Sequence, residues 1–132
     1  MRIARRTTRI MAAVVLTAGG LTAATVTSAA AAPSVACLSS SNLVSINGTD
    51  PNGHWPPYSS ARTTANCNDI QVKVTTADFG ETCFQPTSGS AYCNNPRVIP
   101  ANTWTLMATD VKDHTAFWLL FTSTGIRGVA AY

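Results

Sequence analysis

Residues 70–75 alternate apolar and polar side chains, with Ile70, Val72 and Val74 set against Gln71, Lys73 and Thr75. A period of two sends successive side chains to opposite faces, so the segment predicts a β-strand with one buried and one wet side. Arg97-Val98-Ile99 is a short extended piece, and Trp104-Thr105-Leu106-Met107-Ala108 a further strand. Residues 115–122, Thr-Ala-Phe-Trp-Leu-Leu-Phe-Thr, are the most apolar run after the N-terminal thirty and belong in the middle of a sheet. A final strand is expected over 126–131 and an early one over 43–46. Turn formers separate these runs: Ala77-Asp78-Phe79-Gly80, Pro100-Ala101-Asn102, Asp110-Val111-Lys112-Asp113-His114 and Ser123-Thr124-Gly125. Trp104 and Trp118 fall on strands and are expected in the core. Beyond residue 32 no segment carries an apolar stripe of helical period. The expected fold is therefore all-β, a small antiparallel β-sandwich or barrel of six to seven strands with two disulfides.

The disulfides follow from turn chemistry. Pro86-Thr87-Ser88-Gly89-Ser90 reads as a hairpin loop. With Thr87, Ser88 and Gly89 as a three-residue connection, Gly89 occupies the left-handed position that glycine adopts without steric cost. Pro86 then faces Ser90, Gln85 faces Ala91, Phe84 faces Tyr92 and Cys83 faces Cys93. A Cys83–Cys93 bond fits if that rung is a non-hydrogen-bonded one, and the two aromatics stack on the other face. Elimination leaves Cys37–Cys67. Loops of about 11 and 31 residues contribute roughly 3 and 4 kcal/mol on the chain-entropy model. The cysteines show neither the spacing of a metal site nor a redox motif, so no metal or other cofactor is expected.

The N-terminal quarter changes the compartment. Four arginines and no acid over residues 1–9 precede an apolar stretch from Ile10 to Val26, and Ser28 to Ala32 close in small residues before Pro33. That order is a secretory signal peptide. Glycines and threonines dilute the apolar stretch, so cleavage rather than a stable membrane anchor is expected. Small side chains at Ala29 and Ala31 place the cut before Ala32. The organisation is thus a leader over 1–31 and a single disulfide-stapled β domain over 32–132, secreted and extracellular. Arg5-Arg6 lacks the apolar pair of a twin-arginine signal, which favours the general secretory route.

Removing the leader also removes the basic balance. Arg62, Lys73, Arg97, Lys112 and Arg127 remain against Asp50, Asp69, Asp78, Glu81, Asp110 and Asp113, one acid more than bases. Such a domain has no footprint for a phosphate backbone, so nucleic acid is not an expected partner.

Residues 47–64 stand apart: Gly, Pro, Ser, Asn and Thr dominate, around His54-Trp55-Pro56-Pro57-Tyr58. Long loops carry contacts in small β domains, and this one lies inside the expected Cys37–Cys67 loop with its ends held and its tip free. His54, Trp55 and Tyr58 are the candidate binding residues. Trp55 and Tyr58, separated by two prolines, suit a sugar face or a protein groove; equally, Trp55 can tuck beneath its own loop. Asn47-Gly48-Thr49 matches a glycosylation acceptor and reads as a turn.

Catalytic readings are thin. His54 or His114 with Asp50 or Asp113 could activate a serine, but no nucleophile elbow is present. Asp78 with Glu81, or Asp110 with Asp113, falls within one expected turn rather than across a cleft. Asp110 and Asp113 also supply too few oxygens for calcium. No catalytic residue is assigned.

Asn66-Cys67-Asn68-Asp69-Ile70, Cys83-Phe84-Gln85-Pro86, Tyr92-Cys93-Asn94, Pro100-Ala101-Asn102-Thr103-Trp104 and Ala108-Thr109-Asp110-Val111 resemble uncharacterised small secreted proteins of actinomycetes. That resemblance implies an extracellular protein. Trp55 and Tyr58 before Cys67, then Ile70 to Val74 and Cys83, are similar to the tendamistat-type amylase inhibitors, which implies a six-stranded sandwich with an exposed aromatic loop. Pro56 and Pro57 stand where that family carries an arginine, and Cys93 follows Cys83 sooner than the family's last cysteine. The resulting expectation is a non-enzymatic binding or inhibitor-like module whose partner is an extracellular protein or polysaccharide. A small secreted hydrolase and a cell-wall or polysaccharide-associated structural module are the alternatives.

Overall fold

A computed structural model describes residues 37–132. The leader expected over 1–31, and the first residues of the domain after it, lie outside the described residues. Among those described, ten strands follow in order: β1 Leu43–Asn47, β2 His54–Trp55, β3 Ala61–Arg62, β4 Ile70–Val74, β5 Asp78–Gln85, β6 Tyr92–Cys93, β7 Arg97–Ile99, β8 Thr105–Ala108, β9 Ala116–Phe121 and β10 Arg127–Ala131. Six of these have four residues or more and build the framework; the four short ones extend it. No helix among the described residues is long and apolar enough to cross a membrane.

The strands form two sheets. One runs β1-β10-β4-β8; the other runs β2-β9-β5-β6, with β3 also on β9 and β7 also on β5. Every named pair is antiparallel. The fold is all-β and sandwich-like. Ile46, Ile70, Val72, Val74, Met107 and Ala130 from the first sheet meet Trp55, Phe84, Ile99, Phe117, Leu119 and Phe121 from the second in one buried cluster. Alternation decides which residues enter it. On β9, Phe117, Leu119 and Phe121 are buried while Ala116, Trp118 and Leu120 are partly exposed. The run that reads as uniformly apolar is thus a strand with two different faces.

Both expected disulfides form, Cys83–Cys93 in the hairpin register and Cys37–Cys67 as elimination required. Cys83 pairs with Cys93 and Phe84 with Tyr92, Gly89 has φ +95°, and the two rings stand 5.4 Å apart. The Asn94 amide donates to Thr82 O at 2.9 Å, which makes the neighbouring 82/94 rung the hydrogen-bonded one and 83/93 the close, non-bonded one. Disulfides of this kind fit an oxidising compartment.

Three expectations need correction. Residues 77–80 are not a turn: Asp78–Gln85 is one eight-residue strand, and Asp78 to Gly80 pair with Ile99 to Arg97. Asp78 is buried there because distant groups satisfy it, namely the Thr122 hydroxyl and the Ser123 amide, besides the amide of Phe79. Residues 47–64 are not irregular throughout, since β2 and β3 both pair with β9. Trp104 and Trp118 are half-buried rather than core residues.

Candidate functional site

The site begins with a buried aspartate. Asp50 Oδ1 accepts hydrogen bonds from the backbone amides of Asn52 at 2.8 Å and His54 at 3.0 Å, and the Gly53 amide donates to Asp50 O at 3.0 Å. Short polar side chains close turns in this way. Gly53 has φ +84°, and a Cβ there would sit 2.1 Å from Phe121 O, so only glycine lets this turn lie against the end of β9. Burial pushes the Asp50 carboxyl up, but the amides of His54, Asn52 and Tyr58, with the His54 ring, outweigh it and hold it below its ordinary value of 3.8.

From that turn the chain runs along β9 and back. His54 pairs with Leu120 and Trp55 with Leu119; after the tip, Ala61 pairs with Phe117 and Arg62 with Ala116. This register turns Trp55 inward, where it is 4% exposed and meets Tyr132 edge-on. His54 turns outward and lies 6.2 Å from the Trp118 ring. The tip carries a cis Trp55-Pro56 bond and Tyr58 at φ 56°. Tyr58 is 80% exposed.

The three residues singled out in the sequence therefore divide. His54 and Tyr58 share a shallow depression of about 350 Å³ with Ser59, Ser60, Gln85 and Trp118. Trp55 supports the loop from beneath. The indole beside His54 and Tyr58 belongs to Trp118, on a strand that sequence patterning assigns to the core.

Two deeper depressions adjoin this one. A cavity of about 810 Å³ is lined by Arg62, Gln85, Tyr92, Lys112, His114 and Ala116 among others. A second, of about 530 Å³, takes Tyr92, Asn94, Arg97, Asp110 and Lys112 into its walls. Phe84, 8% exposed, is common to both and lies against Tyr92, 58% exposed. The connection 109–115 forms their far wall and is pinned rather than loose. The buried Thr63 hydroxyl donates to Lys112 O at 2.6 Å and accepts the Thr115 amide at 2.9 Å. Arg62 donates to His114 O at 3.0 Å, which aims its guanidinium along the groove. Asn94 clasps the other side, accepting the Thr82 amide at 2.8 Å and donating to Met107 O at 2.6 Å across to the first sheet.

His54 Nδ1 lies 3.6 Å from Asp50 Oδ2, so an acid and a histidine do meet. Among the described residues, however, no hydrogen bond joins the His54 ring to a hydroxyl, so the pair lacks an activated nucleophile. Asp78 and Glu81 stand three residues apart on one strand and face opposite sides of the sheet. Glu81, Cys83 and Cys93 gather within 4.8 Å of one another, but both sulfurs are committed to a disulfide.

Arg62, Gln85, Tyr92, Lys112 and Trp118 escape sequence reasoning. The hairpin register holds one signal, because it leaves Tyr92 on a two-residue strand too short to cover a tyrosine. The others depend on β3 meeting β9 across more than fifty residues, which no local pattern encodes. Comparison with family models, curated proteins and solved structures finds no match to this chain.

Proposed function

We propose that this chain is a secreted, non-enzymatic binding module that uses the depression of His54, Tyr58 and Trp118 as its contact surface. The observation that carries this reading is Tyr58. It is an aromatic 80% exposed, on a left-handed backbone, at the tip of a segment pinned at both ends. A non-glycine residue in that conformation costs roughly 1–3 kcal/mol and persists only where its surroundings hold it. Rigid aromatics that lose little freedom on contact make efficient binding anchors. The leader and the two disulfides support an extracellular setting. The resemblance to amylase inhibitors adds α-amylase to the probes worth testing.

The test pairs the mature protein with a Tyr58→Ala/Trp118→Ala double variant. Tryptophan quenching is followed while neutral and acidic polysaccharides, cell-wall material and α-amylase are titrated in. One probe is expected to shield the wild-type fluorescence, and the variant to bind it at least about tenfold more weakly with an unchanged far-UV spectrum. If no probe alters quenching, or the variant binds as the wild type does, this surface is not the contact site.

A further inference from the structure

The depressions described above are contiguous, and their lining differs in charge from the rest of the domain. Gln85 belongs to both the first and second; Phe84, Tyr92, Lys112 and Thr115 belong to both the second and third. Together they make a track from Trp118 on the outer face, over the row Arg62, Ala116 and Gln85, into the cleft between β6 and residues 109–115. Resting on the reading of the Tyr58 depression as a contact surface, we propose that this whole track binds an unbranched acidic polysaccharide, one carrying carboxylates on its sugar rings.

Length is the first argument. The track crosses β3, β9 and β5 on the outer face and then rounds the end of β5 to Phe84 and Tyr92 on the other side; with neighbouring strands about 4.8 Å apart, the crossing alone spans roughly 10 Å. That suits several linked sugars rather than one. Direction is the second. A peptide added as a strand would follow a sheet edge and use its free backbone groups. This track crosses the strands instead, so its ligand must be held by side chains.

Those side chains are the third argument. Tyr58, Trp118 and Tyr92 offer partly or largely exposed ring faces along the path, suited to the apolar faces of pyranose rings. Between them stand hydroxyl and amide groups of Ser59, Ser60, Gln85, Thr87 and Thr115, suited to sugar hydroxyls. Charge is the fourth. The domain after the leader carries one more acid than bases. Yet Arg62, Arg97 and Lys112 line the track against Asp110 and Asp113, one base in excess, while Lys73 and Arg127 elsewhere stand against Asp50, Asp69, Asp78 and Glu81. The excess of positive charge is confined to this path, and opposite charge is what such a lining selects.

The experiment measures affinity of the mature protein for uronic-acid oligosaccharides of increasing length, for neutral oligosaccharides of matched length and for poly-glutamate. Tyr58→Ala tests the near end; Tyr92→Ala and an Arg62→Gln/Lys112→Gln double variant test the far end. All four residues are exposed, so thermal midpoints are expected to stay close to wild type. The expected result is affinity that rises with chain length, weakens at high salt and falls about tenfold in the far-end variants for long chains only. Long-chain binding that survives both far-end variants but not Tyr58→Ala overturns the track while leaving the Tyr58 surface standing. Equal affinity for neutral chains overturns the acidic class, and preference for poly-glutamate replaces the glycan with a peptide. Loss of all binding to every probe overturns this proposal and removes glycans and acidic peptides from the Tyr58 surface.

Discussion

The two sheets turn their outer faces to opposite fates. On the first, the Cys37–Cys67 disulfide packs with Ala131, Leu38, Leu43 and Trp104 into a small second core, and Gln71 beneath it is 2% exposed. On the second, Cys83–Cys93 closes a local hairpin, Cys93 stays exposed, and Trp118 and Leu120 are only half-covered. Phe79 and Val98 on the same sheet are 54% and 57% exposed. Similar chemistry serves two ends. A bridge spanning 30 residues brings a distant segment over one face and seals it, whereas a bridge spanning 10 stiffens its own hairpin and covers little else. The covered face stabilises the sandwich, and the open one leaves its aromatic and aliphatic side chains exposed.

The strongest way to break this contrast is to remove each bridge. Cys37→Ser/Cys67→Ser is expected to cost about 4 kcal/mol and Cys83→Ser/Cys93→Ser about 3 kcal/mol, from the loop lengths they close. At roughly 4–8 °C per kcal/mol for a domain of this size, calorimetry separates the two. A larger loss for the hairpin bridge would mean that the long bridge seals nothing of consequence.

Next in size is the wall of the groove. Thr63→Val removes a buried hydroxyl that bonds both Lys112 O and the Thr115 amide, and leaves those two groups only their longer contact with each other and the Thr115 hydroxyl. A loss of about 2 kcal/mol in denaturant unfolding is expected, together with weaker ligand binding as residues 109–115 loosen.

A smaller change of opposite sign tests whether the sealed face is dry. Gln71 Nε2 is buried without a hydrogen-bond partner, so Gln71→Met is expected to raise stability by about 1 kcal/mol. On the open face, Phe79→Ser is expected to stay within about 0.5 kcal/mol of wild type. If Gln71→Met destabilises, water reaches beneath the disulfide and the two faces are more alike than described.

The smallest effect is a pH dependence. The Asp50 carboxyl is held below 3.8 in the folded chain, so its contribution is fully present above that value and is lost as pH falls through the lowered one. The stability difference between wild type and Asp50→Asn is therefore expected to shrink on acidification below pH 3.8. A difference that persists unchanged in acid would show that the turn is held by its backbone alone.

Much of the framework is legible from local chemistry. The hairpin register follows from Gly89 and the spacing of Cys83 and Cys93, and the alternation of Ile70 to Val74 marks β4 at nearly its observed bounds. The site is legible only in part. His54 and Tyr58 are identifiable from the prolines and glycines around them. The sides they face follow from a two-residue pairing with β9 that carries no period of its own. Asp78 shows the same limit: its composition says turn, and partners more than forty residues away make it a strand residue.

What the sequence alone determined is what neighbouring residues decide among themselves: the strand periods, the turn glycines, the even cysteine count and the near-neutral charge of residues 32–132. Tertiary structure decided which aromatic faces solvent. Trp118 lies within an apolar run that reads as core, whereas Trp55 stands between His54 and Pro56 in a segment that reads as a loop. The pairing of His54–Trp55 against β9 sends one indole into the core and leaves the other beside Tyr58. Burial depends on what packs against a face, and that partner comes from elsewhere in the chain.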